Sequence, residues 1–161
     1  MDKTSTNEIK EQIAETMQKM VGFMNVDCSI EAREEIDDRN SKSIVFSIYT
    51  PENAKFLIGK NGQNLKSLEH VLRAMFVKRM TDVGNLIIDV NDYRKSRKMY
   101  VADLARQAVT RVRSTQKAEA LLPMSAYERR IVHMELASCP DIATESIGED
   151  PNRRIVVKPY P

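Results

Sequence analysis

The sequence predicts an α+β fold in two small modules, and three observations carry that expectation. Apolar residues recur at helical spacing in some stretches and as short β-branched runs in others, so both element types are present. A chain of 161 residues suits one ordinary domain or two very small ones. The pattern also changes near residue 92, where alternating short elements give way to a long basic helix. Two modules, residues 1–92 and 93–161, are therefore expected.

Ser5-x-x-Glu8 is a capping-box pattern, and Ile9, Ile13, Met17, Met20, Val21 and Met24 follow at helical spacing, predicting a helix over roughly 7–23. Its methionines read as core filling. Val26–Glu31 predicts a strand and Asp37-Asp38-Arg39-Asn40 an acidic turn. Ser43–Tyr49, rich in β-branched and aromatic residues, predicts a second strand. Pro51 opens a short helix from Glu52 to Ile58, broken by Gly59-Lys60-Asn61-Gly62. A helix over 63–80 follows, with Leu65, Leu68, Leu72, Met75 and Phe76 on one side, then a turn at Gly84-Asn85. The nearly continuous apolar run Leu86–Val90 predicts a strand buried on both faces. The first module thus reads α-β-β-α-α-β.

Tyr93 to about Lys117 predicts a long helix with Val101, Leu104, Ala108 and Val112 available for packing. Lys95, Arg106, Arg113 and Lys117 fall together opposite them as a basic ridge. Ala120–Met124 predicts a short strand, and Ser125-x-x-Glu128 a capping box opening a helix to about Ser138. Ile142–Ile147 and Arg153–Lys158 predict a hairpin.

The net charge of +2 hides a segregation. Residues 55–80 carry +5 and residues 93–117 carry +7, whereas residues 1–54 carry −5. Basic blocks of this kind suggest a face for a polyanion. Other classes are excluded or disfavoured. No apolar run nears the roughly 18 residues of a membrane span, so an integral membrane protein is not expected. Cys28 and Cys139 form no CxxC pair, which points to a reducing cytoplasm and against zinc. With only His70 and His133, neither a metal centre nor a catalytic dyad is expected, and no cofactor or enzymatic activity. The carboxylates from Glu31 to Asp38 read as a solvated turn. Lys66-Ser67 follows Leu65 and not glycine, so a P-loop fails.

Two motifs remain. Gly59-Lys60-Asn61-Gly62 joins two helices; glycine lets another backbone come close, and the next helix offers N–H groups to a phosphate. Arg129 and His133 stand one turn apart on a capped helix, suited to a phosphate and to a base.

The first region, about residues 7–92, resembles a type II KH domain. That resemblance implies a clamp on about four single-stranded nucleotides by Gly59, Lys60, Asn61 and Gly62. Ile58 would line the groove, and Lys55 and Lys66 would be outer charges. Aspartate at Gly62 would then weaken binding without unfolding the chain. Residues 95–158, with R-x-x-x-H, Ala143–Ser146 and Asn152–Val157, closely resemble the R-three-H domain (a helix, a three-stranded sheet and a helix). That resemblance makes Arg129 and His133 nucleic-acid contacts, with Arg130, Arg153 and Arg154 as neighbours.

The pair in this order resembles the Jag family of bacterial RNA-binding proteins, also called KhpB or SpoIIIJ-associated proteins, although Ala126 stands where that family often has proline. The resemblance implies single-stranded RNA as partner and an RNA-chaperone or post-transcriptional role tied to cell-envelope growth and division. It also implies pairing with a small KH-only protein or self-association. Single-stranded DNA binding through the R-x-x-x-H module, or a protein-adaptor role, are the alternatives.

Overall fold

The computed structural model describes residues 3–36, 42–80 and 85–160. The chain divides into two compact units, residues 1–94 and 95–161.

In the first unit, helix α1 (Lys3–Phe23) precedes strands β1 (Ser29–Ile36) and β2 (Lys42–Tyr49). Helix α2 (Ala54–Ile58), a single 3-10 turn (Lys60–Gly62) and helix α3 (Gln63–Met80) then lead to strand β3 (Asn85–Val90). The sheet order is β1-β2-β3, antiparallel between β1 and β2 and parallel between β2 and β3. Parallel pairing needs a crossover, which α2 and α3 supply. Ile44, Phe46 and Ile48 of β2 pack with Leu86, Ile88 and Val90 of β3, Ile13, Met17 and Val21 of α1, and Leu65 and Leu72 of α3.

Several expectations needed correction. α1 begins at Lys3, so Ser5 lies in its first turn and does not precede it. Met17 is buried and Met20 is packed at the margin of the core, but Met24 is half exposed, beyond the helix end. The first strand starts three residues later than the spacing suggested, because Asn25 turns the chain with a positive φ of 52°. Glu31, Glu34 and Glu35 therefore belong to β1 and not to a turn, and exposed charges suit an edge strand. The strand buried on both faces is β2, where Ile44 through Ile48 are all buried. In β3 only Leu86, Ile88 and Val90 are, because β3 lies at the sheet edge. Met75 is 60% exposed and leaves the apolar side of α3. The turns expected at Asp37–Asn40 and Gly84 lie outside the described residues.

Helix α4 (Tyr93–Thr115) crosses into the second unit and ends where Gln116 takes a φ of 55°. Strand β4 (Glu119–Ala120), helix α5 (Ala126–Leu136), strand β5 (Ile142–Ile147) and strand β6 (Arg154–Pro159) follow. β6 is central in an antiparallel sheet of order β4-β6-β5. The first strand is shorter than expected, although Leu121 and Met124 still donate to the carbonyls of Ile155 and Arg153. Val101, Ala105, Ala108 and Val112 of α4 form one core with Val132 and Leu136 of α5 and with Ile155 and Val157 of β6. The capping box at the start of α5 is present: Ser125 Oγ accepts from the Glu128 N–H, and Glu128 Oε2 accepts from the Ser125 N–H.

Candidate nucleic-acid interface

The glycine loop owes its shape to backbone angles that other residues resist. Gly59 has φ 70° and ψ −178°, Asn61 φ 53° and Gly62 φ 77°. A Cβ on Gly59 would lie 2.5 Å from Cγ of Asn64, whose Nδ2 reaches back 2.8 Å to the Phe56 carbonyl. Asn64 thereby laces the first turn of α3 to α2. A Cβ on Gly62 would sit 2.9 Å from Cε1 of Tyr93, and Gly62 is buried. The expectation that aspartate at Gly62 leaves the fold intact is therefore revised: it would collide with Tyr93 and take an unfavourable φ.

Lys60 and Asn61 stand exposed at the tip, with Lys55 and Lys66 exposed on either side. Among the described residues Lys55, Lys60 and Lys66 make no ion pair, and Lys55 lies over the Phe56 ring at 5.2 Å. Ile58 is half-buried and packs on the core. Phe56 is 53% exposed, an aromatic face beside the loop that the sequence reading passed over. Its signal was an aromatic next to lysine in a helix too short to bury every apolar residue. A separate cavity of about 560 Å³, lined by Asp27, Cys28, Ser29, Tyr49, Thr50, Pro51 and Asn91, does not include the loop.

Of the basic ridge on α4, Arg106 and Arg113 are neutralised, and so are two arginines outside it, Arg97 and Arg111. Arg97 binds Glu128, Arg106 binds Glu135, Arg111 binds Glu119 and Arg113 binds Asp141, each at 2.7 Å. The hydrogen bond from Arg113 holds the Asp141 carboxyl below its usual pKa. Lys117 lies past the helix end. Lys95 and Lys98 are the exposed α4 cations without an ion pair among the described residues. Opposite signs met through folding, so the charge of a sequence block overstated the field it makes.

Arg129 and His133 do share one side of α5, as their spacing requires, but both are engaged inside the unit. Arg129 is buried; its Nη1 donates to the Met124 carbonyl at 3.1 Å and to Oδ1 of Asp150 at 3.3 Å. Nδ1 of half-buried His133 lies 2.6 Å from Oγ1 of Thr144 on β5. Arg130 is exposed and has no ion pair among the described residues. Arg153 is exposed and donates from Nε to Oγ of Ser146 at 3.0 Å. Arg154, half-buried, alternates to the sheet face opposite the buried Ile155 and Val157. The two adjacent arginines therefore point to different faces.

Burial, with a smaller push from Asp27, raises the Cys28 thiol above its ordinary pKa, which keeps it protonated and un-nucleophilic at neutral pH. No cluster of three or more potential metal ligands occurs among the described residues. No described helix is long and apolar enough to cross a membrane.

These features define a two-unit α+β protein, and residues 99–159 match the R-three-H domain family. The RNA-binding protein KhpB of Clostridium symbiosum is 31% identical over 151 residues, covering 92% of this chain and 65% of that protein. KhpB of Bacillus subtilis is 30% identical over 152 residues, covering 93% of this chain and 73% of the relative. KhpB of Streptococcus pneumoniae is 31% identical over 155 residues, 96% of this chain but 47% of that protein. The chain belongs to the KhpB family. It spans slightly under two thirds of the C. symbiosum relative and about half of the S. pneumoniae one.

Proposed function

We propose that this chain binds single-stranded RNA in a bacterial cytoplasm, each unit taking part of the strand. The observation that carries the reading is the loop Gly59–Gly62, whose positive-φ glycines expose Lys60 and Asn61 at the entry to α3. A phosphate there meets an unpaired ammonium, and the positive φ angles of the two glycines hold Lys60 and Asn61 outward at the tip. Lys55 and Lys66 extend the charge, Ile58 forms the inner apolar edge, and Phe56 offers a ring on which a base can stack. The α-β-β-α-α-β order, with its mixed sheet, supports a type II KH reading of this unit.

In the second unit the exposed Arg130 and Arg153 supply cations beside the Arg129/His133 rung, whereas Arg154 lies on the opposite face of the sheet. The relatives' names support RNA as the polymer. An RNA-chaperone or post-transcriptional role in cell-envelope growth and division, and pairing through the first unit with a small KH-only protein or a second copy, are the finer readings. They rest on the family resemblance alone.

A fluorescence-anisotropy titration with mixed-sequence single-stranded RNA, the matching DNA and duplex RNA tests the proposal. Tighter binding of single-stranded RNA is expected. Equal binding of DNA would make the chain a general single-strand binder. Binding to none of the three at low salt would leave the protein-adaptor reading.

A further inference from the structure

An R-x-x-x-H spacing invites a reading in which the guanidinium grips phosphate, but the surroundings of Arg129 give it another task. Its side chain is only 9% exposed, and both hydrogens of Nη1 are committed, one to the Met124 carbonyl and one to Asp150. Met124 enters α5, and Asp150 lies in the turn between β5 and β6, so one buried group joins two segments far apart in sequence. The same junction is laced by the backbone: Met124 N–H donates to the Arg153 carbonyl at 3.1 Å, and Asn152 N–H closes the turn on the Glu149 carbonyl at 2.7 Å. Arg153, where the turn rejoins the sheet, is held at its carbonyl by Met124 and at its side chain by Ser146.

We propose that Arg129 is a positioning residue that sets the Gly148–Arg153 turn through Asp150, so that Arg153 and the free Arg130, and not Arg129, meet the phosphates of the strand. This rests on the RNA reading above and deepens it. Asp150 is 74% exposed, so its substitution leaves the core untouched and its effect on binding has an informative sign. If Arg129 held phosphate directly, Asp150 would compete with the ligand, and removing its negative charge would tighten binding. If Asp150 is the link through which Arg129 holds the turn, its removal weakens binding, against the electrostatic trend.

The test uses the full chain with Asp150→Ala, Asp150→Asn and Arg153→Ala, and two readouts. In amide-resolved NMR without RNA, Asp150→Ala moves the signals of Gly148, Asn152 and Arg153, while Asp150→Asn, which keeps an Oδ1 acceptor, moves them less. In RNA titrations Asp150→Ala weakens binding roughly three- to tenfold, the scale of one hydrogen bond, and Asp150→Asn restores part of the loss. Arg153→Ala lowers the salt slope by about 0.7, one phosphate contact on a single strand. Tighter RNA binding by both Asp150 variants would overturn the proposal and make Arg129 the contact. Unmoved turn signals in Asp150→Ala would overturn it too, without RNA in the sample. Failure of the unaltered chain to bind RNA would sink the functional reading instead, and the turn signals would still decide whether Arg129 positions the turn.

Discussion

Replacing Lys60 and Asn61 together by aspartate puts two anions at the tip of the glycine loop. Both side chains are exposed, and aspartate tolerates the φ of 53° at Asn61 better than most residues. Acids near the start of α3 also favour its macrodipole, so the fold should change by no more than about 0.5 kcal/mol. At about 4 Å from a phosphate in watery surroundings, one unit charge is worth about 1 kcal/mol. Reversing Lys60 therefore costs about 2 kcal/mol of interaction, and a charge on residue 61 adds about 1 more. A Debye length of about 8 Å at physiological salt trims this to a net loss of roughly 2 kcal/mol, or about 30-fold in Kd. Anisotropy titration against single-stranded RNA measures the loss, and a circular-dichroism melt checks the fold. Affinity within twofold of the unaltered chain, with an unchanged melt, would refute the reasoning and remove the loop from the interface.

Two further substitutions probe the scaffold. Gly62→Ala should lower the stability of the first unit by about 1–3 kcal/mol, since the methyl meets Tyr93 at an unfavourable φ; a denaturant midpoint equal to that of the unaltered chain would contradict the packing. Glu128→Gln should destabilise by about 1–3 kcal/mol at neutral pH, because the carboxylate accepts from Ser125 and pairs with Arg97. Burial raises the Glu128 pKa, but hydrogen bonds from Ser125 and Arg97 outweigh it and leave the group below its ordinary 4.5. A depressed carboxyl pKa stabilises above the unfolded value and loses that contribution as pH falls through the folded one. Thermal melts from pH 7 to pH 3 should therefore narrow the gap between Glu128→Gln and the unaltered chain as the pH falls below 4.5. A gap that stays constant would exclude the ionised pair as its source.

Local pattern carried much of this fold. Ser43–Tyr49 has the β-branched run of a strand, and β2 is one. Ser125 and Glu128 carry a cap within four residues, and the cap forms as their spacing demands. The departures arise where a distant partner decides. β1 is charged along its length, and its order comes from pairing with β2, which no short window reveals. β3 reads as almost continuously apolar over Leu86–Val90, but only its place at the sheet edge determines that Ile87 is half-covered. The site divides in the same way. The glycine loop was legible because φ angles and turn chemistry are local, whereas Asn64, folding back to Phe56, and Tyr93, arriving from the start of α4, were not. The arginines of α4 read as free charge because Glu119, Glu128, Glu135 and Asp141, which pair with them, come later in the chain. Arg129 looked like an exposed grip for the same reason: Asp150 lies 21 residues away.

The central claim is that unpaired cations of this chain hold the phosphates of a single strand, and the salt dependence of RNA affinity tests it most directly. Counting Lys55, Lys60, Lys66, Arg130 and Arg153 as contacts, the logarithm of the binding constant should fall against the logarithm of salt with a slope of about −3.5. An affinity that holds steady from about 50 to about 300 mM salt would contradict it.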